Sequence, residues 1–192
     1  MSWVRSTLFI SGIAILATAF LFPSATHAQR SKEKDSTKHI DRNFAFRVER
    51  PDSRHWSFRP AKGDSSNMRL EINHVIGGKK DFIRYQIYAY ETKILNKTES
   101  EHLARWTAEL KKQFSEIVEQ DSNGRDRFSR YKTQSYTAYG KLKNDPTQIR
   151  RITAHIFKHK SFMYTIVQIH EPKMDEKYAK DMKAIEKSFR AG

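Results

Sequence analysis

Polar and apolar residues alternate most regularly between residues 148 and 171, and the rest of the chain is organised around that stretch. Ile152, Ala154 and Ile156 alternate along residues 148–157. Past a turn at 158–161, Met163, Thr165, Val167 and Ile169 line one face of residues 162–171 and Phe162, Tyr164 and Ile166 the other. A period of two predicts strands, and apolar side chains on both faces place this hairpin near the centre of a sheet covered on both sides. Upstream, Phe44, Phe46 and Val48 predict a strand that Pro51 ends, with Trp56 in the following loop as a plug for the edge of the core. Met68, Leu70, Ile72, His74 and Ile76 alternate with Arg69, Glu71, Asn73 and Val75, which predicts a strand with one buried and one wet face. Gly77-Gly78 turns it into a partner over residues 81–91. His74 keeps register with the apolar positions and reads as a buried, hydrogen-bonded histidine.

The period lengthens after Thr98. Leu103, Trp106, Leu110, Phe114 and Ile117 recur every three or four residues, which predicts an amphipathic helix to about Glu119 that the turn residues 121–124 close. Thr98 and Glu101 have the spacing of a capping box at its start. Residues 128–143 return to strand, rich in Tyr131, Tyr136 and Tyr139, with Gly140 at a bulge or a close backbone approach. Asn144-Asp145-Pro146 leads into the central hairpin. After Pro172, the stripe of Met174, Tyr178, Met182, Ile185 and Phe189 predicts a last helix. The order is strand, two-stranded hairpin, helix, strand, two-stranded hairpin, helix. That order predicts an α+β fold in which helices pack on an antiparallel β-sheet.

The first residues are of another kind. Arg5 is the only charged residue before Arg30, residues 8–22 are apolar apart from Ser11, Gly12 and Thr18, and Thr26-His27-Ala28 follow. A positive start, an apolar run short of the roughly 20 residues that span a bilayer, and small residues at its exit predict a signal peptide over residues 1–28. Residues 29–42 are polar and charged and read as a flexible linker, leaving 43–192 as one domain. The mature chain then has no membrane span and is secreted or periplasmic. It has no cysteine, which excludes disulfides, thiolate metal sites and a cysteine nucleophile. The formal net charge is +14, and loss of residues 1–28 removes Arg5 alone and leaves +13. Such a charge favours anionic partners, and export points away from nucleic acid towards an envelope polysaccharide, lipid head group or acidic protein.

The run Phe44-x-Phe46-x-Val48-x-x-Pro51, Trp56 soon after it, the hairpins around a central helix and the final Ser188-Phe189-Arg190 resemble the PsbP-like family of α/β/α sandwich domains. That family includes the extrinsic photosystem II protein and the secreted bacterial DcrB-like proteins. The resemblance spans residues 43–190. His55 stands where a small residue often precedes that Trp, and the lipobox of many bacterial relatives is missing. The resemblance implies the sandwich fold and a binding or assembly module without enzymatic activity, and it assigns no functional residue.

Catalytic motifs are missing from the sequence. It holds no G-x-S-x-G elbow, P-loop, dinucleotide fingerprint or H-E-x-x-H helix. His155 and His159 share a strand face but stand about 13 Å apart by strand rise, too far to share a metal. The expectation is therefore a protein that is not an enzyme and carries no metal or cofactor. What remains is a basic surface on the central hairpin: Arg151 and His155 on one strand face, with Lys158, His159 and Lys160 at its turn, and Lys79 and Lys80 at the tip of the other hairpin. Ammonium and guanidinium groups there suit phosphate or carboxylate groups. The reading is a secreted, non-catalytic binding module of the bacterial cell envelope. The alternative is a small hydrolase or ligand carrier, which requires a deep pocket with convergent polar groups.

Overall fold

A computed structural model describes residues 36–52, 54–61, 67–76 and 81–192; the predicted signal peptide, the start of the predicted linker and Lys79 and Lys80 lie outside the described residues. In chain order the first elements are β1 (Lys38–Asp41), β2 (Phe46–Glu49), β3 (Trp56–Pro60), β4 (Met68–Ile76) and β5 (Asp81–Glu91). Helices α1 (Thr92–Leu95) and α2 (Glu99–Lys111) follow, then β6 (Phe114–Phe128), β7 (Tyr131–Leu142), β8 (Asp145–His159) and β9 (Phe162–His170). Helix α3 (Met174–Ser188) and β10 (Arg190–Ala191) end the chain.

The hairpin with apolar residues on both faces lies inside the larger sheet. Its seven strands run in the order β3-β4-β5-β9-β8-β7-β6, with antiparallel neighbours throughout. Ile152, Ala154, Ile156, Met163, Val167 and Ile169 pack beneath Leu103, Trp106 and Leu110 of α2. Phe157, Tyr164 and Ile166 face the other way, towards Met182 and Ile185 of α3 and Phe46 and Val48 of β2. The cover on that second face is α3 together with a small antiparallel sheet, β1-β2-β10. The fold is thus the expected α+β class, with cover on both faces of an antiparallel sheet.

Four expectations change, and register shifts account for the first two. The helix predicted to Glu119 ends at Lys111, and Phe114 and Ile117 belong to β6. Both side chains still pack beneath α2. They share a face three residues apart because β6 shifts register between Phe114 and Glu116, so a bulge imitates a helical period; a second shift follows between Ile117 and Glu119. The predicted turn at 121–124 falls on a third such shift, between Asp121 and Gly124. Lys38–Asp41, at the end of the segment read as linker, pair with β2, where the His39 ring lies 5.9 Å from Phe46 and 5.8 Å from Phe58. Trp56 opens β3 instead of lying in a loop, and its indole N–H donates to Asp181 Oδ2 at 3.1 Å.

Other local signals hold. Thr98 Oγ1 accepts from the Glu101 N–H while Glu101 Oε2 accepts from the Thr98 N–H, a complete capping box. A Cβ added at Gly140 would stand 2.2 Å from the Glu116 carbonyl oxygen, so the bulged β6 needs glycine there. His74 is buried as expected, against Trp56 and Tyr178 at 4.6 and 4.5 Å, but among the described residues ring contacts take the place of the expected hydrogen bond.

Candidate functional site

The residues of the predicted basic surface do not form one group. Arg151 pairs with His170 at one end of β9, and His159 pairs with Phe162 at the other, eight residues or roughly 27 Å away. Lys79 and Lys80 lie outside the described residues. Arg151 is held by Asp175, Nη1 to Oδ2 at 3.1 Å, and its guanidinium lies 5.4 Å from the Tyr139 ring centre. His155 is buried, 3.3 Å from Thr133 Oγ1 and against Phe128, and burial holds its pKa down to about 4. It is neutral at pH 7 and offers no charge to an anion. Lys158 and Lys160 are exposed, and His159 packs its ring edge-on to Tyr131 at 5.4 Å.

What the fold adds to Lys158 and Lys160 is a second turn. The hairpin between β6 and β7 turns at Ser129 and Arg130 beside the β8–β9 turn, as Tyr131 shows by stacking on Phe157 at 4.7 Å. Exposed Arg127, Arg130 and Lys132 thereby join the cluster. Arg127 and Lys132 are cross-strand partners. Lys132 and Lys158 each lie two residues beyond the Gln134–Ile156 pair, so Arg127, Lys132 and Lys158 form a row across three adjacent strands. The row is on the α2 side, because Ile156 and Tyr136 alternate with it and pack beneath that helix. Among the described residues none of these cations makes an ion pair. Beside the row an open cleft of about 570 Å³ is lined by Glu99, Asp126, Arg127, Lys132, Thr133 and Gln134. Glu99, the first residue of α2, accepts a hydrogen bond from the Lys158 N–H at 2.7 Å.

Arg127, Arg130 and Lys132 are the residues that the sequence reading misses. Their signal is present as cations on both sides of Ser129-Arg130, and it is hidden by taking residues 128–143 as one strand with no turn before it.

A second polar group lies under α3. Tyr85, Gln168, Thr153 and Thr137 are successive cross-strand neighbours on β5, β9, β8 and β7. The Thr153 and Thr137 hydroxyls meet at 3.2 Å, and His170 Nε2 lies 2.7 Å from Asp175 Oδ1. Burial raises the pKa of Glu186 nearby, with the Asp126 charge adding to the shift. On the α2 side, His102 Nε2 takes the Trp106 indole N–H at 3.1 Å and lies 3.0 Å from Thr165 Oγ1. Burial holds that imidazole down to about 4. Since Trp106 can only donate, the His102 ring is the neutral tautomer with its proton on Nδ1. Among the described residues no group of His, Asp or Glu is placed to hold a metal ion, and no helix is long and apolar enough to cross a membrane.

No family model matches the sequence, and no curated protein matches it. Solved structures are similar in fold. The solution structure of the cyanobacterial PsbP protein from Synechocystis aligns over 81% of this chain and 91% of that one, with 13% identity and a TM-score of 0.49. A crystal structure from Bacteroides thetaiotaomicron aligns over 82% of this chain and 49% of that one, with 10% identity and a TM-score of 0.49. LpqN of Mycobacterium tuberculosis, described as involved in cell envelope biogenesis, aligns over 75% of this chain and 82% of that one, with 9% identity and a TM-score of 0.46. These likenesses are of fold alone.

Proposed function

We propose that this chain is an exported, non-catalytic binding module of a bacterial cell envelope that holds an anionic envelope component at the cleft beside α2. One observation carries the reading: Arg127, Lys132 and Lys158 stand in a row on adjacent strands. Like charges directly opposite each other in a ladder are unfavourable, and fold stability gains nothing from them. An anion in the cleft turns that repulsion into attraction for itself. The cleft volume falls in the range of ligand sites, and the mature charge of +13 draws anions to the surface from a distance.

The test is binding of the full chain to vesicles with and without anionic lipid, and to an acidic polysaccharide, across a salt series. Binding is expected to need the anionic component and to weaken as salt rises, because exposed charges are screened over about 8 to 10 Å at ordinary ionic strength. Lys132→Glu with Lys158→Glu is expected to weaken it at least roughly tenfold, on the basis of about 1 kcal/mol for each cation near an anionic surface. Lys177→Glu with Lys180→Glu, on exposed positions of α3, is expected to cost much less. Equal losses in both double variants would assign the attraction to net charge and remove the site.

A further inference from the structure

The Glu99 carboxylate occupies a particular place in the cleft. It accepts the backbone N–H of Lys158, a residue two positions past the last pair that β8 makes with β7. It also lines the cleft together with Arg127 and Lys132. The side chain thus holds a backbone donor at the edge of a row of three cations, without an ion pair to any of them among the described residues, and shares the cleft lining with Asp126.

We propose that Glu99 stands in for the anionic group of the ligand, and that this group is a phosphomonoester which binds by displacing the Glu99 side chain. The proposal rests on the anion-binding reading of the cleft. Glu99 and Asp126 together offset two of the three positive charges in the row, Glu99 supplying one of them. A phosphomonoester, close to a dianion at neutral pH, offsets more than Glu99 alone and brings three acceptor oxygens for the Lys158 N–H, the two ammonium groups and the guanidinium. The side chain is free to leave without opening the helix, because the α2 terminus is capped by Thr98 and Glu101 and not by Glu99. Glu99 then acts as a threshold: it competes with weak anions and yields to a group of higher charge.

The probe is inorganic phosphate titrated into the isotope-labelled full chain at neutral pH, followed by the amide resonance of Lys158. Phosphate is expected to shift that resonance, and Glu99→Gln is expected to bind phosphate roughly tenfold more tightly, the effect of deleting one charged hydrogen-bonding competitor. Glu99→Ala, checked for folding by its thermal unfolding, is expected to show the same gain. If Glu99 is only a brace between α2 and the sheet, Glu99→Ala lowers the melting temperature and leaves the phosphate affinity unchanged, which overturns the proposal. An unmoved Lys158 amide overturns it too. Vesicles of phosphatidic acid are expected to bind more tightly than vesicles of phosphatidylglycerol, whose phosphate is a diester; equal binding overturns the phosphomonoester assignment. Glycerol 3-phosphate separates the sources, since a soluble ligand predicts that it competes the vesicles away and a membrane ligand predicts that it does not. Salt-sensitive polyanion binding that persists while Glu99 variants change nothing leaves the broader function standing and removes this inference alone.

Discussion

At the end of the large sheet where β9 finishes, cations are matched with carboxylates, and at the end where β9 begins they are not. Arg150, fully buried, holds Glu171 at 2.5 Å, and Lys173 meets the other oxygen of that carboxylate at 2.6 Å. Arg151 and His170 share Asp175 between them. At the opposite end Arg127, Arg130, Lys132, Lys158 and Lys160 stay exposed. The same residue types thus serve two purposes. A buried charge needs a partner for the fold to tolerate it, whereas an exposed row without partners costs the fold little and leaves its interaction energy for something outside the chain.

The comparison predicts its largest effect at the paired end. Glu171→Ala removes the carboxylate that pairs with the buried Arg150 guanidinium and is expected to cost about 3 to 5 kcal/mol, read from denaturant unfolding. Replacing both partners, Arg150→Met with Glu171→Leu, is expected to recover most of that loss, since the pair contributes less than its breakage costs. A single variant that unfolds like the wild type would mean that the buried charge has another way of being satisfied.

Proton uptake gives the next effect in size. His155 has a folded-state pKa of about 4 because burial disfavours the imidazolium, against an ordinary value near 6.5. The unfolded chain therefore binds more protons than the folded one between those values. Stability contributed by His155 is full above about pH 6.5 and is lost as pH falls towards 4, by up to about 3 kcal/mol. His102, held down to about 4 by its own burial, acts in the same direction. Unfolding midpoints measured from pH 7 to pH 4.5 are expected to fall steadily, and His155→Asn is expected to flatten that slope. A slope that His155→Asn leaves intact would move the titration to other groups.

How far all this is legible in the sequence depends on the range over which each feature is decided. The alternation of Ile152, Ala154 and Ile156 and the capping box of Thr98 and Glu101 are local, and both are found where the sequence places them. The bulges of β6 are not local, because a register shift takes its meaning from the partner strand, and Phe114 and Ile117 therefore read as helix. That misreading hides the turn at Ser129-Arg130 and with it Arg127 and Lys132. The pairing of Arg150 with Glu171 joins residues that face each other only once β8 and β9 are zipped together, and no spacing along the chain announces it. The Lys158 turn is legible as basic, but its neighbour Glu99 comes from a helix 59 residues away in the chain.

The smallest effect on stability is the sharpest test of the unpaired end. Lys132 stands opposite Arg127 in the ladder and in line with Lys158, so its charge adds repulsion on both sides. Lys132→Glu places a carboxylate between two cations, and opposite charges in a cross-strand pair are worth about 0.2 to 1 kcal/mol. The variant is expected to be slightly more stable than the wild type while it binds anionic vesicles more weakly, since it fills the row with a charge of the ligand's own sign. That combination marks a side chain kept for binding at the expense of the fold. A structural role for Lys132 predicts the reverse, a loss of stability with binding preserved. Denaturant midpoints and vesicle affinities measured on the same variant decide between the two, and because the expected stability change is a gain, a failure to fold cannot be mistaken for it.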